Sequence, residues 1–381
     1  MSEQRIYLDN NATTHILPCV AIAMNDAWED AFANPGSQHS FGRDARRLLE
    51  SSRDVIADTL NCQSDEVIFT SGGTESINAA IHGFTAGRQG FIAVTAGEHP
   101  ATTAACQRAC ESGLRLTTMP VDENGLLQSD ALEELPWSEL RLVAVILAHN
   151  ETGVIQKVAR LGALCEEHQV PLLIDAVQAV GKIPVDFREL RATALAFGAH
   201  KFHGPRGIGG LLLRRGVRLA PFLEGGHQES GRRAGTEPVP LIAGMAASLL
   251  HFQHRSEERI DSVQTMRDDL QRRIERDCTP VVVHGNAVAR LPGTLCVAFP
   301  GLDGEAMLVN FDLAGVACSL GSTCASGSAE PAPALRAMGI ADDVCMASVR
   351  FSLSCFTSQK EVELAAGRIS GVVKRMRSAT N

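Results

Sequence analysis

The sequence predicts an α/β protein, with a large domain built on a mainly parallel, doubly wound sheet and a smaller α+β domain beside it. Three observations carry this. Between residues 66 and 197, short apolar β-branched runs alternate with amphipathic stretches, the pattern of successive βαβ units. A chain of 381 residues is long for a single hydrophobic core. Beyond residue 278 the alternation gives way to short strand-like runs and a terminal helix. The helical stretch 239–277 is interrupted, and the domain boundary is placed within it: residues 15–255 form the large domain, residues 1–14 and 256–381 the small one.

In chain order, residues 5–8 read as a short strand and 9–14, DNNATT, as a polar turn. Helical spacing runs over 17–32 until an Asn-Pro-Gly turn at 34–36 breaks it, and a second amphipathic helix covers 41–60. Strands are expected at 67–70, 91–96, 141–148, 172–175, 194–197 and 210–214, with helices after Gly73 and at 158–168. The smaller domain has strands at 279–283, 294–299 and 347–353 and helices at 305–313 and 359–377.

Chemistry-bearing residues cluster where strands end. Strand 172–175 delivers Asp175, and the run ending at Phe197 delivers Lys201 beside His200. Ligands of open parallel sheets collect outside the carboxyl ends of strands, so an acid and a lysine at two such ends can face one site. An ion pair at the sheet edge accounts for the same two residues. Gly72-Gly73 opens a helix whose first amides, with the Thr74 hydroxyl, suit an anion; an ordinary capped connection reads the same way. His99 is held by Pro100 at a strand end, Asn150 follows the strand 141–148, and Gln178 lies three residues after Asp175. The loop 223–238 is rich in Gly, Arg and Glu and long for a mere connection; Arg232, Arg233 and Thr236 there suit an oxyanion. Arg350 sits in a strand pattern, where a carboxylate partner explains it. Cys324 lies in a stretch of small residues that leaves its thiol accessible, unlike Cys106 or Cys165 on helix faces.

Composition excludes several classes. A net charge of −9 with no basic block argues against a nucleic-acid partner. No apolar run reaches membrane-spanning length, and the start carries no secretory pattern, so a cytosolic protein is expected. The eleven cysteines include no C-x-x-C pair, which argues against a zinc site or a disulfide framework.

Taken together, YLDNNATT (7–14), FTSGGTES (69–76), EHPA (98–101), HNETGVIQ (149–156), LLIDAVQAVGKIPVD (172–186), HKFHGPRGIG (200–209), RAGTEPVP (233–240), GSTCASG (321–327) and VRFSLS (349–354) closely resemble the cysteine desulfurases. These are class V aminotransferases of fold type I, aspartate-aminotransferase-like, which use pyridoxal 5'-phosphate. The resemblance is collinear over nearly the whole chain and implies a role for each residue. Lys201 matches the Schiff-base lysine, Asp175 the partner of the pyridinium nitrogen, and Gln178 the contact to the ring hydroxyl. His99 matches the stacking imidazole and Asn150 the asparagine near ring and substrate. Gly73, Thr74 and His200 match phosphate contacts, and Thr236 one supplied across a homodimer. Arg350 matches the clamp on the substrate carboxylate, and Cys324 the thiol that accepts sulfur on a long loop. The implied reaction turns L-cysteine into L-alanine and leaves a persulfide for an acceptor protein in iron–sulfur cluster assembly or tRNA thiolation.

The chain departs from the family pattern at Gly198, where a phosphate-binding hydroxyl is usual, and at Ala199, Thr323 and Cys355. A class V enzyme acting on selenocysteine or cystine, or as an aminotransferase, is the alternative reading; a non-catalytic sulfur-transfer scaffold is the third.

Overall fold

The computed structural model describes residues 4–320 and 331–380. In chain order its main elements are β1 (Ile6–Tyr7), α1 (Pro18–Asp30), α2 (Ser40–Leu60), β2 (Val67–Thr70), α3 (Gly73–Thr85), β3 (Gly90–Thr95), α4 (Pro100–Glu111), β4 (Leu114–Met119), β5 (Leu140–Ile146), α5 (Ala159–Glu167), β6 (Leu172–Asp175), β7 (Ala194–Gly198), β8 (Gly209–Leu213) and α6 (Val239–Asp277). There follow β9 (Val282–Val283), β10 (Thr294–Ala298), α7 (Gly304–Leu313), β11 (Val316–Ala317), β12 (Ser319–Leu320), α8 (Pro333–Ala337), α9 (Asp342–Met346), β13 (Ser348–Ser352) and α10 (Gln359–Thr380).

Seven strands form the main sheet in the order β2-β8-β7-β6-β5-β3-β4. The run from β7 to β4 is parallel throughout, and β8 alone runs antiparallel to both its neighbours. Helices cover both faces, as a parallel sheet buried on both sides requires. On one face Leu49 and Ile56 of α2, Leu161 of α5 and Ile242 of α6 pack with the sheet; on the other, Ile77 and Ile81 of α3 and Cys106 of α4. This burial on both sides is why β5, β6 and β7 are almost wholly apolar and were legible as strands. The edge strand β4 was not: LRLTTM leaves Arg115, Leu116 and Thr118 exposed and carries too weak an apolar signal.

A second core joins Ile6 and Leu8 to the later half of α6, to β10 and β13, and to the inner faces of α7 and α10. Its sheet runs β12-β13-β10-β9, antiparallel, while β1 pairs in parallel with β11. The predicted strand 279–283 is shorter than expected, only Val282–Val283. Helix α6 continues across residues 239–277 and breaks its helical geometry only at Arg255, φ −134° and ψ 22°. Among the described residues, no helix is long and apolar enough to cross a membrane, and no group of three or more His, Cys, Asp or Glu could hold a metal ion.

Candidate active site

The carboxyl ends of the parallel strands open onto a cavity of about 280 Å³. Strands β2, β3, β5, β6 and β7 contribute through the turns that follow them.

After β2 the chain turns through Gly72, whose φ of +155° lies in the range glycine tolerates best. A Cβ on Gly73 would come within 2.4 Å of Val177 Cγ2, so close packing against the Asp175 turn also demands a glycine there. Gly72 is the N-cap of α3 and has no side chain to occupy the first amides. Gly73 and Thr74 line the cavity, so this helix start presents amide donors and its dipole to an anion.

After β3, His99 caps α4, its Nδ1 accepting from the Ala101 amide at 3.1 Å. That assigns the ring proton to Nε2. Burial, then the Lys201 charge, bring its pKa down to about 4, so the imidazole is neutral. The preceding residue, Glu98, is buried and accepts from the Ile146 amide at 2.7 Å. Burial, then neighbouring Asp175, push its carboxyl up to about 8.

After β5, Asn150 lines the cavity, and its carbonyl accepts from Asn11 Nδ2 and from Arg350 Nη1, each at 3.0 Å. Asp175 ends β6 and takes the Val177 amide on Oδ1 at 2.9 Å; burial pushes its carboxyl up to about 6. Gln178 follows in the same turn, also facing the cavity.

Beyond β7, Lys201 donates to the backbone carbonyls of Asn11 and Ala12 at 2.8 and 2.9 Å. Burial, then the Arg350 charge, lower its pKa to about 8. The sheet-edge ion pair is therefore not what these residues form: the amine rests on uncharged carbonyls, with Asp175 facing the same cavity. His200 also lines it, its pKa lowered to about 4 by burial first and Lys201 second. Strand β13, part of the second core, contributes Arg350, with Nη2 on Asp9 at 2.8 Å.

The cavity thus gathers Gly73, Thr74, His99, Asn150, Asp175, Gln178, His200, Lys201 and Arg350. Thr236 is not among its lining residues; it is exposed on the loop 223–238. That loop is clamped to α3 by Arg233 on Glu75 at 2.9 Å and to α2 by a buried, two-pronged Arg53–Glu229 pair, both contacts at 2.8 Å. Cys324, with Thr323, lies outside the described residues. At Gly198 an added Cβ would stand 3.2 Å from the Gly73 amide nitrogen, so a side chain there would crowd the glycine turn. Cys355 lies apart from the cavity, its Sγ 3.5 Å from His203 Nε2.

Sequence reasoning missed Asn11, Lys182, Asp9 and Glu98. The first two are linked by a 2.8 Å bond from Lys182 Nζ to Asn11 Oδ1. The signal was present in DNNATT: two consecutive asparagines in a segment too polar for core need partners.

A family model described as Aminotransferase class-V matches residues 6–364. The chain belongs to the class-V aminotransferase family. Among its relatives within that family, a cysteine desulfurase of Enterobacter agglomerans is 40% identical over 383 residues, 98% of this chain and 94% of that one. The cysteine desulfurase IscS of Dictyoglomus turgidum is 35% identical over 379 residues, covering 99% and 96% of the two chains. Among solved structures, a NifS-like protein superposes with a TM-score of 0.91 at 29% identity, over 98% of this class-V chain and 100% of the other.

Proposed function

We propose that this class-V enzyme is a cysteine desulfurase dependent on pyridoxal 5'-phosphate: it takes L-cysteine, releases L-alanine and leaves the sulfur as a persulfide on Cys324. One observation carries the reading most. A lysine of lowered pKa, a buried carboxylate, a neutral imidazole and an uncapped helix start converge on one cavity, and a guanidinium from the other domain closes it.

The donor set fits the cofactor. Amides at Gly73 and Thr74, with His200, suit its phosphate; Asp175 suits a pyridinium nitrogen; Gln178 and Asn150 suit its ring oxygen; Lys201 is the amine its aldehyde requires. When bound, the cofactor supplies an electron sink for charge released at the substrate Cα. The protein's own residues supply the rest. Arg350 binds the substrate carboxylate with a fork of N–H donors. With a pKa of about 8, Lys201 has a usable neutral fraction near pH 7 and is suited to take the Cα proton. His99 carries its proton on Nε2 and is suited to pass one within the cavity. The C–S bond of the substrate breaks, a proton goes to the carbon that held sulfur, and an S–S bond forms at Cys324.

The reading includes a homodimer in which Thr236, exposed and outside its own cavity, completes the partner's phosphate site. It also includes an acceptor protein for iron–sulfur cluster assembly or tRNA thiolation, and a cytosolic location, in keeping with described cysteines that are all unpaired. The change of hydrophobic core near the α6 irregularity at Arg255 supports the domain division at 255/256.

Incubation with L-cysteine tests the function: alanine should form together with one extra sulfur on Cys324. Cys324→Ser should abolish sulfur transfer. Continued alanine or pyruvate production by that variant would instead favour a lyase, and 3-mercaptopyruvate an aminotransferase.

A further inference from the structure

The hydrogen bonds around Gln178 determine what that side chain can offer the cavity. An ammonium only donates, so it identifies the oxygen of any amide it touches. Lys182 Nζ reaches Asn11 Oδ1 at 2.8 Å and also Gln178 Oε1. The amide nitrogens must then find acceptors, and they do. Asn11 Nδ2 donates to the Asn150 carbonyl at 3.0 Å and to Thr294 Oγ1 at 2.9 Å, and Gln178 Nε2 donates to the Asn11 carbonyl at 2.9 Å. Turning over either amide would set N–H against the amine and oxygen against a carbonyl. Gln178 lines the cavity with its oxygen engaged by Lys182 and, among the described residues, one Nε2 hydrogen uncommitted.

We propose that Lys182 is a positioning residue: through Gln178 and Asn11 it makes position 178 a hydrogen-bond donor to the cavity, so a molecule bound there must set an acceptor oxygen beside it. The ring oxygen of pyridoxal phosphate is such an acceptor, and in this the inference rests on the cofactor reading above. Burial, with the Lys201 and Arg350 charges, holds the Lys182 pKa well below its ordinary value. The Asn150 and Asn11 carbonyls only accept, so they hold the Asn11 and Gln178 amide nitrogens in place and the arrangement survives loss of the charge.

The test is a double-variant cycle in the full chain, read as the dissociation constant for added pyridoxal phosphate after the resident cofactor is removed. Lys182→Met and Gln178→Leu should each weaken binding roughly tenfold, about one hydrogen bond. The double variant should bind no more weakly than Gln178→Leu alone, because Lys182 acts through Gln178. Losses that multiply to roughly a hundredfold would make the two independent and overturn the proposal, as would unchanged binding in Lys182→Met. Should Lys182→Met not fold, Gln178→Glu decides: it keeps an oxygen on Lys182 but replaces the donor with a second oxygen, and should bind more weakly than Gln178→Leu. Binding equal to wild type would overturn the proposal. Failure of the wild-type chain to take up pyridoxal phosphate would overturn the cofactor reading as well, and is seen before any variant is compared.

Discussion

Replacing Arg350 with lysine separates substrate recognition from folding. Arg350 is buried on β13, with Nη1 on the Asn150 carbonyl at 3.0 Å and Nη2 on Asp9 at 2.8 Å. Each terminal nitrogen keeps a second N–H, so the fork is held from behind while it can still grip a carboxylate in the cavity. Lysine retains the charge but cannot serve two anchors and a bidentate ligand at once. Losing one charge-assisted hydrogen bond to the substrate costs about 1.5–3 kcal/mol, a fall of roughly 10–150-fold in kcat/KM. The folding cost should be small, because lysine keeps a positive charge beside Asp9, whose side chain is 21% exposed, so the pair is retained and not broken. Alanine formation against L-cysteine concentration, with thermal midpoints in parallel, provides the measurement. The loss should appear mainly in KM, with the midpoint little changed. A kcat/KM within about threefold of wild type would refute the clamp, and so would a loss that tracks unfolding.

Three further outcomes follow from the same geometry. Glu98 has a folded pKa of about 8 against an ordinary 4.5, so the native state keeps a proton that the unfolded chain has lost; its contribution is whole below pH 4.5 and gone above about 8. Glu98→Gln should therefore flatten the decline in thermal midpoint of the cofactor-free protein between pH 5 and 8, and an unaltered slope would count against the buried, protonated acid. Glu229→Ala removes the two-pronged partner of buried Arg53, which keeps Glu50 and the Val67 carbonyl, and should cost about 1.5–3 kcal/mol in denaturant unfolding; a loss below about 0.5 kcal/mol would mean the loop 223–238 is not held by that pair. Uptake of pyridoxal phosphate by the cofactor-free protein should accelerate as pH rises and level off above about 8, where Lys201 is neutral. Acceleration continuing toward pH 10 would show an unperturbed lysine.

The parts of the molecule readable in sequence were those where one physical requirement acts alone. Strands β5, β6 and β7 must be apolar because both faces are covered, and Gly72-Gly73 must be glycine because the backbone turns tightly and packs on Val177. The hidden parts depend on several distant segments meeting. Lys182 reads locally as a polar residue after a glycine, and only the approach of residues 9–14 adds the Asn11 oxygen to that of Gln178 four residues back. Asn11 likewise reads as a turn residue, yet it binds Thr294 and Ser352 on β10 and β13 and also Gln178, Lys182 and Lys201 beside the main sheet. Strand β4 escaped because a solvated edge needs little hydrophobicity.

The resting contacts of Lys201 explain why the sheet-edge ion pair would have been the poorer arrangement for catalysis. A carboxylate bound directly to the amine favours its charged form and raises its pKa, leaving little neutral base near pH 7. In this chain the amine instead donates to the carbonyls of Asn11 and Ala12, which hold it in place without a full opposing charge. Burial and the Arg350 charge can then bring its pKa down to about 8, although Asp9 and Asp175 pull the other way. The polar segment 9–14 thus places the lysine while leaving it reactive, and leaves Asp175 free to face the cavity.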